Sequence, residues 1–173
     1  AFAIEENIQN TLIIKKHAEK FACLVEGELG KVSGVEDGFG EEGSSYAEIR
    51  EIIRYVDETK IDLMALGIGN AHGFYEDLEG IDLSILEEAS QKLGPEQFFV
   101  LHGGTGLPKE VIKKAIAYGV IKINISTQLK KETMDILKEF AENNELYNEI
   151  SYHSNMVEGL SNFFEQYLQE YTV

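Results

Sequence analysis

The chain has 173 residues, of which 43% are apolar, which is enough for one well-buried domain. Its formal charge of -16 argues against a nucleic-acid partner, because phosphate contacts need clustered lysine and arginine. No apolar window reaches membrane-spanning length, so no membrane partner is expected. Cys23 is the single cysteine, which excludes an internal disulfide framework and favours the reducing cytoplasm.

Helix-like and strand-like segments alternate through the first part of the chain. Apolar residues at helical spacing predict a helix over residues 3–20, and a short apolar run at 21–25 is strand-like. A glycine-rich, acidic loop is expected over residues 33–45. Ser44 or Ser45, the latter at capping-box spacing from Glu48, predicts the start of a helix that ends at about 57, and the apolar run 61–68 predicts the next strand.

The alternation continues through the second part of the chain. Helical spacing predicts a helix over residues 84–93, and the apolar run 98–101 predicts a third strand. A proline in the first turn and a glycine at the end bound a helix over residues 108–119. A fourth strand is predicted at 120–125, and residues 127–171 are helix-like with an interruption near 143–148.

Strands that alternate with helices of this length predict an α/β fold with a parallel sheet. A closed (β/α)8 barrel needs eight strands and roughly 250 residues, so four strands amount to about half of one. An open, doubly wound sheet of four strands is the alternative. Both architectures place their functional sites at the carboxyl ends of the strands.

Two histidines occupy similar positions, each at the exit of an apolar run and each followed by glycine. His72 lies in the segment GNAHG, and His102 lies in LHGGTG. Glu28 follows a third strand-like run. Two imidazoles and a carboxylate at one rim suit Zn²⁺ or a similar divalent ion. A lone histidine at a strand end more often bonds a neighbouring backbone group, but the matched settings favour a metal.

Small and polar residues follow the last two strands at the same predicted rim. Gly103, Gly104 and Thr105 precede a helix, and such a loop presents backbone N–H groups to an anion. An ordinary strand-to-helix turn explains the glycines equally well. Ser126 and Thr127 follow the fourth strand, where either would also serve as a helix N-cap.

Together these motifs resemble those of the class II, metal-dependent ketose-bisphosphate aldolases, of which fructose-1,6-bisphosphate aldolase is the best known member. The order and approximate spacing of the motifs match at residues 5–7, 25–30, 35–37, 69–73, 102–108 and 122–127. The resemblance implies a TIM (β/α)8 barrel. This chain would supply roughly strands five to eight and the C-terminal helices, as a single domain over residues 1–173.

The resemblance also implies roles for individual residues. His72 and His102 correspond to two of three histidines that hold the catalytic Zn²⁺, and Glu28 to a carboxylate at a second or alternative cation position. Glu36 corresponds to the glutamate that transfers a proton at the dihydroxyacetone phosphate carbon. The residues that correspond to binding positions for dihydroxyacetone phosphate are Gly73, Gly103, Gly104, Thr105, Asn124, Ser126 and Thr127.

The implied reaction is reversible, zinc-dependent aldol cleavage of a ketose 1,6-bisphosphate, in which the metal stabilises an enediolate. Fructose-1,6-bisphosphate is the first expectation, and tagatose-bisphosphate or a phospho-deoxy-keto-gluconate are alternatives. A homo-oligomer, either a dimer or a tetramer, is expected.

One departure from the family is the absence of the Asp-His pair that supplies the third zinc ligand. Either the N-terminal part of the barrel is omitted, which we favour because a half-barrel would expose apolar strands, or the chain is a non-catalytic metal- or phosphate-binding half-barrel. Arg50 and Arg54 are the only arginines, so a C-terminal arginine for a second substrate phosphate is in doubt.

Several other residues receive structural interpretations. His17 and His153 lie in polar, helix-like surroundings and are expected at the surface. Cys23 is expected to be a small core residue. Apolar and aromatic residues recur at helical spacing near the C-terminus and are expected to pack or to form an oligomer interface; they are Leu160, Phe163, Phe164, Tyr167 and Leu168.

Overall fold

The structure is a computed structural model that describes residues 2–32, 34–36, 39–41, 46–71, 73, 80–143 and 148–171, with the backbone alone at 34–36 and 39–41. It divides into two compact units, Ala1–Asn124 and Ile125–Val173. A single domain over residues 1–173 stays a prediction.

The first unit contains a parallel sheet. The described strands of the unit are β1 (Glu26–Leu29), β2 (Gly34–Glu36), β3 (Phe39–Glu41), β4 (Leu63–Leu66), β5 (Phe98–Leu101) and β6 (Val120–Ile123). Strands β2 and β3 form a separate pair. The four parallel strands are arranged in the order β1-β4-β5-β6, so each strand pairs with the next parallel strand along the chain. The α/β fold class with a parallel sheet is thereby confirmed.

Helices connect the parallel strands, as the alternation predicts. The helices of the first unit are α1 (Ile4–Ala18), α2 (Ile49–Thr59), α3 (Leu83–Leu93) and α4 (Lys109–Ala117). The start of the second helix was predicted wrongly, because the chain before it is extended. Ala47 donates its backbone N–H to the carbonyl of Gly67 at 2.8 Å, which holds this segment beside the end of β4 rather than in a helical turn.

The first strand was also predicted too early. The apolar run at 21–25 lies outside the sheet, since Ala22 has a left-handed φ of 52° and Phe21 and Leu24 are exposed. The ladder with β4 begins instead at Glu26, opposite Leu63. The prediction of Cys23 as a core residue is therefore wrong, because this side chain is exposed on the loop before β1.

One face of the sheet packs against the helices. Met64 and Phe99 on this face are fully buried, as are Ile52 and Tyr55 of α2. Gly27 shares their row of the sheet, and a Cβ placed on it would lie 2.4 Å from the Tyr55 hydroxyl. Because successive strand residues point to opposite faces, Glu26 and Glu28 lie on the other face.

A short antiparallel pair of strands lies within the segment for which the sequence predicts a glycine-rich loop. Strands β2 and β3 are antiparallel, with Gly34 opposite Glu41 and Glu36 opposite Phe39. Periodicity did not indicate these strands, because three residues are too few to show alternation.

The second unit consists of α5 (Thr127–Glu142) and α6 (Glu149–Tyr171), which confirms the helical prediction and its interruption. Phe140 of α5 and Tyr152 of α6 meet edge to face, with ring centroids 5.6 Å apart. Gly159 lets the helices approach, since a Cβ there would lie 2.6 Å from Ile136 Cδ1. Across the described ranges, no helix combines the length and apolar character needed to cross a membrane.

Candidate active site

The His102 imidazole lies between two carboxylates on the face of the sheet that carries Glu26 and Glu28. Its Nε2 is 2.9 Å from Glu26 Oε1, and its Nδ1 is 3.1 Å from Glu28 Oε2. The side chains of His102 and Glu26 retain 18% and 25% exposure, whereas that of Glu28 retains 40%. The cluster is thus partly shielded from water and opens on the Glu28 side.

Strand geometry brings these residues together. Glu26 and Glu28 are two positions apart on β1 and therefore share a face. His102 directly follows β5, two residues beyond Val100, which lies in the same row of the sheet as Glu28 through Ala65 of β4. The end of β1 is also held to α1, because Asn7 Nδ2 donates to the Glu28 carbonyl at 3.0 Å.

Lys122 of β6 completes the cluster. Its Nζ lies 2.7 Å from Glu26 Oε2, so the two oxygens of Glu26 contact a lysine and a histidine from two other strands. A register shift between Phe99 and Val100 pairs Val100 with Lys122. Lys122 therefore points to the face that carries the glutamates, and the neighbouring Ile121 is 60% exposed.

The ionic contacts shift the titration of both central groups. Hydrogen bonding to Glu28, opposed by burial and assisted by Glu26, raises the pKa of His102 above its usual value. Burial alone would raise the pKa of Glu26, but the hydrogen bonds from Lys122 and His102 outweigh it and lower that pKa. Near neutral pH the cluster therefore favours a charged Glu26 and a more basic imidazole.

Asn70 supports His102 from the neighbouring strand-end loop. It is 1% exposed, and its Oδ1 accepts a hydrogen bond from the Ile68 N–H at 3.1 Å. Its Nδ2 donates to the main-chain carbonyl of His102 at 2.9 Å. Asn70 thus joins the loops after β4 and β5, so the backbone that carries His102 is fixed from two sides.

The glycine-rich loop after His102 is buried and connected to β6. Gly103, Gly104 and Thr105 are buried, and Gly103 has a φ of 66° that favours glycine. The Gly104 N–H donates to the Asn124 carbonyl at 3.1 Å, and the Asn124 N–H donates to Leu101 at 2.9 Å. The structure thus brings Asn124 beside the loop that begins with His102.

The other predicted site residues are only partly described. Glu36 ends β2, but its side chain lies outside the described residues, as does the whole of His72. Gly73 has a φ of 101°, and no atom of the described residues lies within 4 Å of a Cβ built there. Ser126 occupies the N-cap position of α5 in the second unit without a side-chain capping bond, and Thr127 is the first residue of that helix.

The predicted surface histidines do lie at the surface. His17 is exposed on α1, where its ring contacts Phe21 with centroids 5.4 Å apart. His153 on α6 is 67% exposed at its side chain. Both predictions are confirmed. On the same helix α6, Phe163 contacts Phe164 and Tyr167, and Leu168 is 65% exposed.

The donor set at His102 fits a borderline divalent metal such as zinc. An imidazole and a carboxylate are typical zinc ligands, and two ligands about 2.0–2.2 Å from a tetrahedral ion lie roughly 3.4 Å apart. The Nδ1 to Oε2 distance of 3.1 Å is close to that separation. Glu26 and Glu28 contact opposite edges of the ring, and among the described residues no group of three such side chains converges on one point.

Sequence reasoning missed three members of this cluster, namely Glu26, Lys122 and Asn70. Glu26 could have been found from its spacing to Glu28, because two glutamates that alternate on a buried strand face one side of the sheet. Lys122 is a charged residue within an apolar strand, which is also a usable signal. Nothing in the local sequence indicates the contact of Asn70 with His102.

Comparison with known proteins covers nearly the whole chain. The family model described as fructose-bisphosphate aldolase class-II matches residues 1–172. The 6-phospho-5-dehydro-2-deoxy-D-gluconate aldolase of Bacillus subtilis is 36% identical over 97% of this chain and 57% of that protein. The fructose-bisphosphate aldolase of Streptococcus pyogenes is 41% identical over 86% of this chain and 50% of that protein.

A solved structure agrees with the fold. The fructose-bisphosphate aldolase of Campylobacter jejuni superposes with a TM-score of 0.78 and 22% identity, over 97% of this chain and 57% of that one. This likeness shows the fold and confirms the predicted barrel class. The chain spans about half the length of the curated relatives that it matches. Since the family model matches residues 1–172, the chain belongs to the class II fructose-bisphosphate aldolase family.

Proposed function

We propose that the protein catalyses reversible, metal-dependent aldol cleavage of a phosphorylated ketose to dihydroxyacetone phosphate and an aldehyde. The observation that carries the proposal is the approach of His102 Nδ1 to Glu28 Oε2, 3.1 Å apart, from two different strands. It places an imidazole and a carboxylate together at the carboxyl end of a parallel sheet, where sites of this fold lie. Membership of the aldolase family supplies the reaction class.

The metal in this proposal is Zn²⁺, with a second divalent or a monovalent cation near Glu28. His102, Glu28 and His72 would hold the metal, together with a histidine that these 173 residues do not supply. When bound, the ion supplies Lewis-acid polarisation of the substrate ketone. Other residues of the chain position His102. Asn70 fixes the backbone of His102, and Glu28 holds its side chain on the exposed side.

Glu36 and Asn124 are the proposed substrate-contacting residues of the reaction. Glu36 would transfer the proton at the dihydroxyacetone phosphate carbon as a general acid and base. Asn124 would donate to the substrate oxygens, since its backbone already bonds Leu101 and Gly104 on either side of His102. In this proposal the phosphate contacts local donors, because the chain carries a net charge of -16. Those donors are Gly73, Gly103, Gly104, Thr105, Ser126 and Thr127.

Fructose-1,6-bisphosphate is the first candidate substrate, and tagatose-1,6-bisphosphate and a phospho-deoxy-keto-gluconate are the alternatives. Relatives named for a fructose-bisphosphate and for a phospho-deoxy-gluconate substrate are similarly distant, at 41% and 36% identity. Arg54 already pairs with Glu5 at 2.8 Å and Glu58 at 2.7 Å. It is therefore a poor candidate for a second substrate phosphate, which keeps the alternatives open.

The experiment is an assay of the intact protein against these three ketose phosphates, before and after chelation and after zinc is restored. We expect cleavage to be lost in chelator and recovered with zinc. His102→Ala should reduce kcat/KM by roughly two orders of magnitude or more. His17→Ala is the matched control, because this exposed histidine lies on α1 and should leave activity unchanged. Full activity in excess chelator would contradict the proposal.

Assembly and location belong to the same proposal. We expect a homo-oligomer, either a dimer or a tetramer, in the cytoplasm. Sedimentation of the intact protein measures the oligomeric state, and cell fractionation measures the location. A monomer at the concentrations used for the activity assay would contradict the oligomer.

A further inference from the structure

We propose that Glu26 is a positioning residue that holds the His102 ring so that Nδ1 is the nitrogen presented to the metal. The inference rests on the proposed function, and Glu26 lies outside the predicted site. Glu26 acts through the histidine and contacts neither substrate nor the reacting atoms.

The two carboxylates lie at opposite edges of the His102 ring. Glu26 Oε1 lies 2.9 Å from Nε2, and Glu28 Oε2 lies 3.1 Å from Nδ1. The two ring nitrogens project in different directions, so a single ion can replace only one of these contacts. A bound metal would therefore replace one carboxylate at the ring and leave the other in contact with it.

Glu26 also forms an ion pair with Lys122. The ammonium of Lys122 lies 2.7 Å from Glu26 Oε2. It neutralises the negative charge that a metal cation would need at this carboxylate. A lysine at that distance would also repel a divalent ion at Glu26. Glu26 is consequently a weak metal ligand and a well-held hydrogen-bond acceptor.

Glu26 lies further from the carboxyl end of the sheet than Glu28 does. Glu26 pairs with Leu63, the first residue of β4, whereas Glu28 pairs with Ala65, closer to the carboxyl end. Glu28 is also the more exposed side chain, at 40% against 25%. A ligand that approaches from the carboxyl rim reaches Nδ1 and Glu28 before it reaches Nε2.

A carboxylate at the second ring nitrogen is typical of metal-binding histidines. Such a histidine commonly donates its second ring N–H to a carboxylate, which fixes the tautomer and the ring orientation. Here Nε2–H would donate to Glu26, and Lys122 would hold Glu26 in place. An acceptor at Nε2 would keep the proton on that nitrogen and leave Nδ1 as the one available to a metal.

The test measures zinc binding and the ring nitrogens of His102 in the intact, ¹⁵N-labelled protein. In the zinc-loaded parent we expect Nδ1 to carry the metal and Nε2 to carry the proton in long-range ¹H–¹⁵N spectra. Glu26→Ala should weaken zinc binding about 10- to 100-fold in a chelator competition. Glu26→Gln, which keeps an acceptor for Nε2–H, should restore part of this loss, and Lys122→Met should resemble Glu26→Gln.

Glu88→Ala is the matched control, because Glu88 forms a comparable lysine pair with Lys92, 3.1 Å apart, on the surface of α3. It should bind zinc like the parent. If Glu26→Ala does not fold, as judged by circular dichroism, the ring-nitrogen spectra of the parent and the zinc affinity of Glu26→Gln still test the inference.

Metal on Nε2, or zinc affinity of the Glu26 variants within twofold of the parent, would overturn the inference. A parent that binds zinc and cleaves a ketose phosphate while Glu26→Ala binds zinc normally contradicts this inference alone. A parent that binds no zinc overturns both this inference and the proposed function.

Discussion

The side-chain amide of Asn70 bonds the main-chain carbonyl of His102, with Nδ2 and O 2.9 Å apart. The other end of the same amide accepts the N–H of Ile68 at 3.1 Å. One buried side chain therefore joins the ends of two neighbouring strands, and it needs both a donor and an acceptor to do so. This contact determines where the backbone of the candidate metal ligand lies.

Asn70→Asp should destabilise the protein. The substitution keeps an acceptor for Ile68 but turns a carboxylate oxygen toward the His102 carbonyl, and a buried group left without its partner costs about 1–3 kcal/mol. Urea unfolding at pH 7 measures the loss. Asn155→Asp, at an exposed position of α6, is the control and should change the free energy of unfolding by less than about 0.5 kcal/mol. Equal effects of both substitutions would contradict the prediction.

Gly27→Ala should destabilise the first unit through steric overlap. The added Cβ would lie 2.4 Å from the hydroxyl of Tyr55, a fully buried residue of α2, so the helix must shift away from the sheet. Overpacking of this kind typically costs about 1–3 kcal/mol. Thermal or urea unfolding measures it. At the matched change Gly80→Ala the nearest atoms of the described residues lie 3.9 Å from the new Cβ, so the change should be nearly neutral.

The buried hydroxyl pair between α1 and α2 should behave as a coupled unit. Tyr55 Oη and Thr11 Oγ1 are 2.6 Å apart, and both residues are buried. Tyr55→Phe leaves the Thr11 hydroxyl without this partner and should cost about 1–3 kcal/mol. The double variant Tyr55→Phe/Thr11→Val removes both polar groups, so its unfolding free energy should exceed the value expected from adding the two single losses. Strict additivity in this cycle would contradict the coupling.

The metal-free protein should show a pH-dependent contribution from His102. Its pKa is raised above the usual 6.5 chiefly by the hydrogen bond to Glu28. The stabilisation is therefore fully present below about pH 6.5 and is lost as the pH rises through the raised pKa. Glu26, with a lowered pKa, stabilises above its usual 4.5 and loses this effect as the pH falls through the lowered value. Together the two groups stabilise the folded protein most between about pH 4.5 and pH 6.5.

The measurement compares the parent with His102→Asn by urea unfolding between pH 4 and 9 in chelator. The difference in unfolding free energy should shrink as the pH rises above neutrality. An imidazole titration by NMR gives the pKa directly, and Glu28→Gln should lower it more than Glu26→Gln does. A difference that grows above pH 7 would contradict the assigned direction.

Much of the fold follows from local patterns in the chain. The strand at 98–101 was predicted with its observed bounds, and the helix predicted at 84–93 begins one residue earlier. Both segments are short and strongly patterned, and turn signals bound them. The errors lie where tertiary contacts override a local signal. The segment before α2 is held by the bond from Ala47 to Gly67, and the ladder with β4 begins at Glu26, after the apolar run at 21–25.

The candidate site divides in the same way. The sequence alone determined that His102 and Glu28 follow or lie on parallel strands and therefore reach one rim, because strand direction and alternation are local properties. Only the tertiary structure decided that Glu26 contacts both His102 and Lys122, across 76 and 96 positions of the chain. Those contacts depend on strand order and on the register shift that turns Lys122 toward the glutamates, and periodicity within one strand carries no information about either.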